Sequence, residues 1–374
     1  MLIKNAFVFG EDKTFTKRDI AFSNGLFADT DTDSCQEQKL DASGLYAIPG
    51  LVDIHFHGCM GHDFCDGTHE SIEAMAVYEA SQGVTTIVPA TMTLGRDTLK
   101  KICEAAGSYK SEKGAILCGI NMEGPFIAME RKGAQNGDFV HKPDAEMFRE
   151  LNKASGGIVK LLAIAPEVEG AKECIEELKD EVVLSVAHTM ADYEQAKEAF
   201  EHGVHHVTHL YNAMAGLSHR KPGVVGAAAD DEHVEAEMIC DGVHIHPATV
   251  RQTFKMFGDD RIIMISDSME ATGMPDGDYA LGGQKVIKKG HLATLEDGTI
   301  AGSATNLMDC VRVVVQKMNI PLESAVKCAA VNSAKSVGIY DQYGSITPGK
   351  TANMVLLKEK DLSTKQVILK GKML

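Results

Sequence analysis

Eight short apolar runs between residues 51 and 268 constrain the fold more than any other feature of this sequence. They are rich in Val, Ile and Leu, which is typical of parallel strands buried on both faces. Segments with apolar residues at helical spacing separate most of them, as in 71–83, 171–180 and 191–203. This alternation predicts a (β/α)8 barrel of the TIM type, and an open doubly wound sheet is disfavoured because the GxGxxG fingerprint is missing. The runs are 51–58, 85–93, 115–124, 159–167, 182–189, 205–212, 236–244 and 261–268.

The two ends of the chain differ from the middle. Short strand-like pieces occur within 1–50 and again from 352 to 374, and neither set is large enough to build a core alone. We therefore expect residues 1–50 and 345–374 to form one small β-sandwich domain beside a barrel of residues 51–344. The Gly-rich stretch 270–302 predicts an insertion that forms a hairpin or lid over the barrel mouth.

The net charge indicates which partners are disfavoured, and the cysteine usage indicates the cellular compartment. The chain has 37 basic and 53 acidic side chains and a formal net charge of −16, which disfavours nucleic acid and anionic membranes as partners. The first residues resemble no secretory signal, and no apolar run reaches the length of about 18 residues of a membrane span. Nine cysteines without a CxxC pair are not typical of a disulfide framework. We expect a cytoplasmic protein.

Polar residues recur at or near the carboxyl ends of the apolar runs. In a (β/α)8 barrel these ends form the catalytic face, so residues far apart in sequence should converge there. His205 and His206 begin their run at the opposite end and are predicted to be structural. The residues at the carboxyl ends are His55, His57, Glu123, His188, His209, His244 and Asp267.

His55 and His57 lie two residues apart on one strand, so their side chains share a face and can reach one metal ion. An isolated HxH pair is more often a set of ordinary hydrogen-bonding histidines, but Glu123, His188 and His209 add ligands at the same rim. Imidazole and carboxylate ligands suit zinc, iron or a related divalent metal. Such a metal lowers the pKa of bound water from 15.7 to about 7, which favours hydrolysis.

Asp267 ends the eighth run in the sequence MISDS. A carboxylate at this position can accept a proton from the metal-activated water and deliver it to a leaving nitrogen. The alternative interpretation is an aspartate that caps the following segment.

Longer motifs extend this interpretation to a family. PGLVDIHFHG resembles the opening motif of the amidohydrolase superfamily, and GSITPGKTANMVLL (344–357) resembles its return strand into the small domain. MEGPF, VAHT, THLYNAM, RKPG, CDGVH and SDS resemble the branch that deacetylates N-acetyl amino-sugar phosphates. The resemblance implies a metal-dependent hydrolase that removes the acetyl group from N-acetylglucosamine 6-phosphate in amino-sugar catabolism.

The resemblance also implies a role for each matching residue. Glu123, His188 and His209 form the main metal site, His55 and His57 form a second one, and Asp267 is the catalytic acid and base. One or two divalent metals, zinc or iron, are therefore expected. Arg220 contacts phosphate across a subunit interface in the family, which implies a homodimer. The expected substrate contacts are Ala134, Gln135, Asn212, Ala213, Arg220, His244, Ile300, Ala301 and Gly302.

The substrate preference is left open by one departure from the family. Many relatives carry a histidine where this chain has Gln135, and an amide cannot become cationic. Another N-acyl hexosamine 6-phosphate, such as N-acetylgalactosamine 6-phosphate, is the alternative substrate, and a cyclic amide is another. A catalytically silent relative is the alternative class, which the intact set of six metal-site and catalytic residues disfavours. The basic triplet 219–221 suits a phosphate, although a solvated loop would also explain it.

Overall fold

Strands and helices alternate along the middle of the chain, as the eight apolar runs predict. The computed structural model describes residues 1–30 and 39–374, so Cys35 lies outside the described residues. The strands are β1 (Leu2–Phe9), β2 (Phe15–Ser23), β3 (Leu26–Ala28), β4 (Lys39–Asp41), β5 (Leu45–Pro49), β6 (Leu51–Asp53), β7 (Gly58–Cys59), β8 (His62–Asp63), β9 (Val84–Ile87), β10 (Ala90–Thr91), β11 (Ile116–Leu117), β12 (Ile120–Phe126), β13 (Val159–Ile164), β14 (Val183–Val186), β15 (His206–Val207), β16 (Glu235–Ile239), β17 (Ile262–Ile265), β18 (Gly277–Leu281), β19 (Gln284–Lys289), β20 (Leu292–Thr294), β21 (Met354–Lys358), β22 (Thr364–Leu369) and β23 (Lys372–Met373). The helices are α1 (His69–Gln82), α2 (Arg96–Ser108), α3 (Ala145–Ala154), α4 (Ala171–Leu178), α5 (Tyr193–Glu201), α6 (Gly223–Asp230), α7 (Pro247–Phe257), α8 (Leu307–Met318), α9 (Leu322–Val326) and α10 (Asn332–Ser336).

The barrel strands form two parallel sheets that join into a ring. β11, β9 and β6 make one sheet, and β10, β12, β13, β14, β15, β16 and β17 make the other. The N–H of Ala90 donates to Phe56 O at 2.7 Å, and the N–H of Asp267 donates to His55 O at 2.9 Å, which closes the ring on both sides of β6. The predicted (β/α)8 barrel is confirmed. The second run is split into β9 and β10 around Pro89, which has no N–H for the ladder.

Successive residues of the barrel strands face different cores. On β17, Ile262 and Met264 pack in the large core between strands and helices, whereas Ile263 and Ile265 pack in a second cluster with Val52. Side chains that fill the interior make a TIM-type barrel a packed core rather than a pore. The polar residues at the strand ends therefore lie above a packed barrel interior.

The two ends of the chain pair with each other, as expected, and hydrogen bonds join all their strands into one eight-stranded sheet. Its order is β23-β22-β21-β5-β1-β2-β3, with β4 on β1, and β21 runs antiparallel to β5 with Val355 opposite Ile48. This sheet buries a separate core that includes Val8, Phe22 and Met354. The division at 50/51 and 344/345 stays a prediction.

The insertion after β17 is a three-stranded antiparallel sheet of β18, β19 and β20. It therefore has one strand more than a hairpin. Its own core includes Leu281 and Val286 packed against Met92 and Met269, which places the insertion beside the barrel mouth.

The cysteines and the helix lengths bear on disulfide bonding and on membrane insertion. All eight cysteines within the described part of the chain are free thiols. Among residues 1–30 and 39–374, no helix has the length and apolar character needed to cross a bilayer.

Candidate active site

Three predicted ligands on separate strands meet above the barrel core. Glu123 lies on β12, and His188 and His209 follow β14 and β15. Glu123 Oε1 lies 3.0 Å from His188 Nε2 and 2.8 Å from His209 Nε2, and the two imidazole nitrogens are 3.1 Å apart. The distances bring one carboxylate and two imidazoles together, as the sequence predicts.

A second group of three lies directly beside the first. His57 Nε2 is 3.2 Å from Asp267 Oδ1, and His55 Nε2 is 3.7 Å from the same oxygen. Glu123 also faces this group, with Oε1 at 3.4 Å from His55 Nε2 and Oε2 at 3.3 Å from His57 Nε2. We call the set Glu123, His188 and His209 the first triad, and the set His55, His57 and Asp267 the second triad. Within each triad the possible ligand atoms all lie within 4.8 Å of one another.

The donor atoms of His55 fit a metal ion. Its Nδ1 lies 2.8 Å from Glu237 Oε2, whereas the buried Nε2 makes no hydrogen bond within the part of the chain that the structure describes. A buried ring nitrogen that faces two carboxylates and has no hydrogen-bond partner can become an imidazole ligand when a cation takes the place of its proton. Together with the other nitrogen and oxygen donors, it suits a divalent cation of the zinc or iron type.

The electrostatic field of the triads favours positive charge. Burial opposes protonation of His57, but Asp267 and Glu123 outweigh burial and raise the pKa of His57 to about 10. Burial likewise opposes ionisation of Glu123, yet the charges of His55 and His188 hold the pKa of that carboxyl well below its usual range. A field that stabilises imidazolium also stabilises a metal cation at the same position.

Backbone conformation aims three of these side chains. His188, His209 and Asp267 each follow the end of a barrel strand and have φ values of 43°, 28° and 49°. Positive φ is uncommon for residues other than glycine and costs on the order of 1–3 kcal/mol. Such strain persists where the surrounding structure over-determines it, and it clusters at functional sites.

A cavity of about 400 Å³ opens over both triads. Its volume lies within the usual range for small-molecule sites, about 300–1,000 Å³. Two predicted substrate contacts do not line it: Ala301 is buried in the core of the insertion, and Arg220 is exposed on the loop before α6. The predicted contacts that do line it are Ala134, Gln135, Asn212, Ala213, His244, Ile300 and Gly302.

Gln135 lies in the cavity wall with its side-chain amide already engaged. Its Oε1 accepts from the N–H of Thr93 at 2.6 Å, and its Nε2 donates to Glu123 Oε2 at 2.5 Å. The amide therefore fixes the oxygen of Glu123 that faces away from the first triad's imidazoles. In this arrangement Gln135 orients the carboxylate of Glu123 rather than presenting a free polar group to the cavity.

His244 is held by a carboxylate on the same loop. Its Nδ1 lies 2.8 Å from Asp241 Oδ2. Burial lowers the pKa of His244, but Asp241 outweighs burial and the net shift is upward. With Nδ1 engaged, Nε2 is the nitrogen that can donate a hydrogen bond into the cavity.

Three residues near the triads were not predicted from sequence to act there. Glu237 and His206 lie below them, and their own contact is 3.0 Å between His206 Nε2 and Glu237 Oε1. Arg131 lines the cavity, and its carbonyl oxygen lies 2.9 Å from His188 Nδ1. A glutamate inside the apolar stretch AEMIC was the available signal for Glu237, because a strand buried on both faces rarely carries an unpaired charge. Arg131 lies in a polar loop that carries no comparable signal.

Comparison with known proteins identifies the family in which these site residues occur. The sequence pattern of the Amidohydrolase family matches residues 46–374. The chain belongs to the amidohydrolase family. The motif resemblance described above is thereby confirmed.

This amidohydrolase is similar to sugar-phosphate deacetylases over most of its length. It is 33% identical to N-acetylglucosamine-6-phosphate deacetylase of Bacillus subtilis, over 96% of this chain and 93% of the relative. It is also 34% identical to N-acetylgalactosamine-6-phosphate deacetylase of Escherichia coli O157:H7, over 87% of this chain and 86% of the relative. The structure of a mutant N-acetyl-D-glucosamine-6-phosphate deacetylase from Mycobacterium smegmatis, in complex with N-acetyl-D-glucosamine-6-phosphate, has a TM-score of 0.92 and 29% identity, and the match covers 100% of this chain and 98% of that one.

Proposed function

We propose that this amidohydrolase removes the acetyl group from N-acetylglucosamine 6-phosphate and releases acetate and glucosamine 6-phosphate, a reaction of amino-sugar catabolism. The observation that carries the proposal is the pair of triads that meet at Glu123 on the floor of one cavity. N-acetylgalactosamine 6-phosphate is the alternative substrate, because the relative from Escherichia coli is named for it.

The two triads would hold the metal. We assign the main cation to Glu123, His188 and His209, and a second one to His55 and His57, with zinc or iron as the ions that these donors suit. A bound divalent cation would polarise the acetamide carbonyl and lower the pKa of water to about 7.

Asp267 is the proposed catalytic acid and base. Burial raises the pKa of Asp267, but His57 and His55 outweigh burial and hold it below its usual range, so the group is ionised at neutral pH. The carboxylate lines the cavity, where it can accept a proton from the attacking water and pass it to the nitrogen of the leaving amine. His244 can donate from Nε2 to the carbonyl oxygen as negative charge develops there.

The remaining predicted contacts would hold the sugar. Asn212 and Ala213 follow His209 directly, so they lie at the rim next to the first triad. Ala134 and Gln135 approach from the loop after β12, and the segment 300–302 approaches from the insertion. Contacts from three separate segments would orient the acetamide towards the triads. Such orientation lowers the activation barrier, because the reacting groups are already held in the required geometry.

Arg220 supports the proposal of a homodimer. Its side chain is exposed and does not line the cavity of its own chain, which suits a contact with the substrate phosphate of a second copy. A guanidinium suits this role because its forked donors match phosphate oxygens. Arg131 is the basic group to compare with it, because Arg131 lines the cavity of the same chain.

The compartment and the domain division are further proposals. We propose a cytoplasmic location, because nine cysteines without CxxC pairs suit a reducing compartment. We propose domain boundaries at 50/51 and 344/345, which the position of β5 and β21 in one sheet supports.

An assay of acetate release tests the function. Purified protein loaded with zinc or iron should release acetate from N-acetylglucosamine 6-phosphate with a higher kcat/KM than from the galactose epimer or the unphosphorylated sugar. A higher kcat/KM for the epimer would transfer the proposal to the alternative substrate. No acetate release from either phosphorylated sugar would contradict the proposed function.

A further inference from the structure

A chain of polar groups, buried except for the half-buried Ser336, crosses the barrel beneath the triads, and Glu237 is its centre. Glu237 lies on β16 and is fully buried. Its Oε2 lies 2.8 Å from His55 Nδ1 and accepts from the backbone N–H of His209 at 3.3 Å. Its Oε1 lies 3.0 Å from His206 Nε2, and His206 Nδ1 lies 3.1 Å from Ser336 Oγ on α10. The chain thus runs from α10 through two strands to the first residue of the second triad.

We propose that Glu237 is a positioning residue that holds His55 in the tautomer required to bind a cation in the second triad. This inference rests on the metal site of the proposed function. A carboxylate can only accept hydrogen bonds, so the ring nitrogen that faces it must carry the proton. Glu237 is the nearest carboxylate to the ring, at 2.8 Å from Nδ1, so Nδ1 keeps its proton, and Nε2 is the nitrogen that can give up its proton to a cation and direct a lone pair between Glu123 and Asp267.

The surroundings of His55 agree with this assignment. Its Nε2 is buried and makes no hydrogen bond to any residue of the described ranges, while Nδ1 is engaged. A carboxylate behind a metal-bound histidine commonly fixes the ring orientation and raises the basicity of the ligand. Glu237 occupies that position relative to His55.

His206 gives Glu237 a single orientation. With His206 bound at Oε1, the other oxygen is the one that faces His55 and the N–H of His209. A fully satisfied network of this kind is rigid, whereas a buried carboxylate without partners would be costly. The predicted structural role of His206 therefore serves the site through Glu237.

The arrangement makes an asymmetric prediction for the two triads. His55 belongs to the second triad, so removing the charge of Glu237 should weaken the cation held with His57 and Asp267. A glutamine is neutral and can turn either its oxygen or its NH2 group towards His55 Nδ1, so it neither fixes the tautomer nor raises the basicity of the ring. The first triad meets Glu237 through the backbone N–H of His209, so neither imidazole of that triad loses a side-chain partner in the variant.

The test is zinc titration of the chelator-stripped full-length protein by calorimetry, with acetate release of the wild type measured separately. Glu237→Gln should weaken the second zinc ion by 10- to 100-fold, the range measured for outer carboxylates of metal sites, and leave the first ion nearly unchanged. Glu235→Gln is the matched control, because it removes the same charge from the same strand at a partly exposed position. Glu237→Asp keeps the charge and should restore part of the affinity.

Unchanged zinc binding by folded Glu237→Gln would overturn the inference, and so would equal weakening of both ions. Should that variant fail to fold, His206→Asn is the second test, with a smaller loss of affinity expected for the second ion alone. Acetate release by the wild type tests the proposed deacetylase function separately from the positioning role of Glu237, because it does not depend on that role.

Discussion

At the scale of single residues, Glu123 unites the site because both triads and Gln135 contact its two oxygens. His188 and His209 meet Oε1, and His57 and Gln135 meet Oε2. The convergence of these side chains could be predicted from sequence, because polar residues interrupt apolar runs where barrel strands end. The engagement of Gln135 with Glu123 could not, since it depends on how a loop folds back over the strand. The same holds for Glu237 and His55, which are 182 residues apart.

Replacing Asp267 by asparagine tests the proton transfer. The amide cannot accept a proton from water, so we expect Asp267→Asn to lower kcat by about 10²- to 10⁴-fold, the usual contribution of a general acid or base. The cation of the first triad should persist, because Asp267 lies outside that triad. Acetate release and elemental analysis of the same sample measure both quantities. Near-normal turnover would remove Asp267 from the mechanism.

Replacing Arg220 by alanine tests the phosphate contact. We expect Arg220→Ala to raise KM for the phosphorylated sugar far more than for the unphosphorylated one, because charge-assisted bonds to the phosphate are lost. Steady-state kinetics on both sugars provide the comparison, with Arg131→Ala as the reference variant. A larger phosphate-specific effect in Arg131→Ala would place the contact within one chain instead.

At the scale of elements, local signals determine where the helices stop. α1 ends before Gly83, whose φ of 95° only glycine adopts readily, and the helical spacing of 71–83 predicts that end. The strands are predicted from sequence less accurately than the helix ends. Pro89 splits one apolar run into two strands, and the insertion has a third strand, β20, which pairs with β19. Pairing partners of this kind depend on the whole sheet rather than on local propensity.

Gly83→Ala tests that helix end. We expect a loss of about 1–2 kcal/mol in the free energy of unfolding, because a Cβ disfavours the left-handed conformation. The added atom would also lie 3.0 Å from the side chains of Met308 and Val355. Gly277→Ala is the control, since its Cβ would meet ordinary contacts at 3.6 Å and should change stability by less than about 0.5 kcal/mol. Equal stability of the two variants in denaturant titrations would contradict the argument.

At the scale of the whole molecule, the site joins most strands of the barrel. The residues of the two triads lie on β12 and after β6, β14, β15 and β17, so a bound cation would tie together separate parts of the chain. The barrel itself followed from eight apolar runs, because each strand-helix unit has its own local pattern. The convergence of the triad side chains could be predicted from the topology, because the carboxyl ends of all the parallel barrel strands lie at one face.

Metal removal should therefore lower stability. A ligand that binds only the folded state raises the free energy of unfolding by about 2.7 kcal/mol when its free concentration is 100 times its Kd. We expect chelator-treated protein to melt at a lower temperature and to recover when zinc is added. His188→Asn is the control, because it removes a ligand of the first triad and should reduce the recovery. An identical melting temperature with and without metal would argue against a cation in either triad.

The most direct measurement is acetate release from N-acetylglucosamine 6-phosphate by chelator-treated protein before and after addition of zinc or iron(II). The triads require that release is nearly absent without metal and returns as one or two ions bind per chain. Full activity in the stripped protein, or none after either metal is restored, would contradict the account.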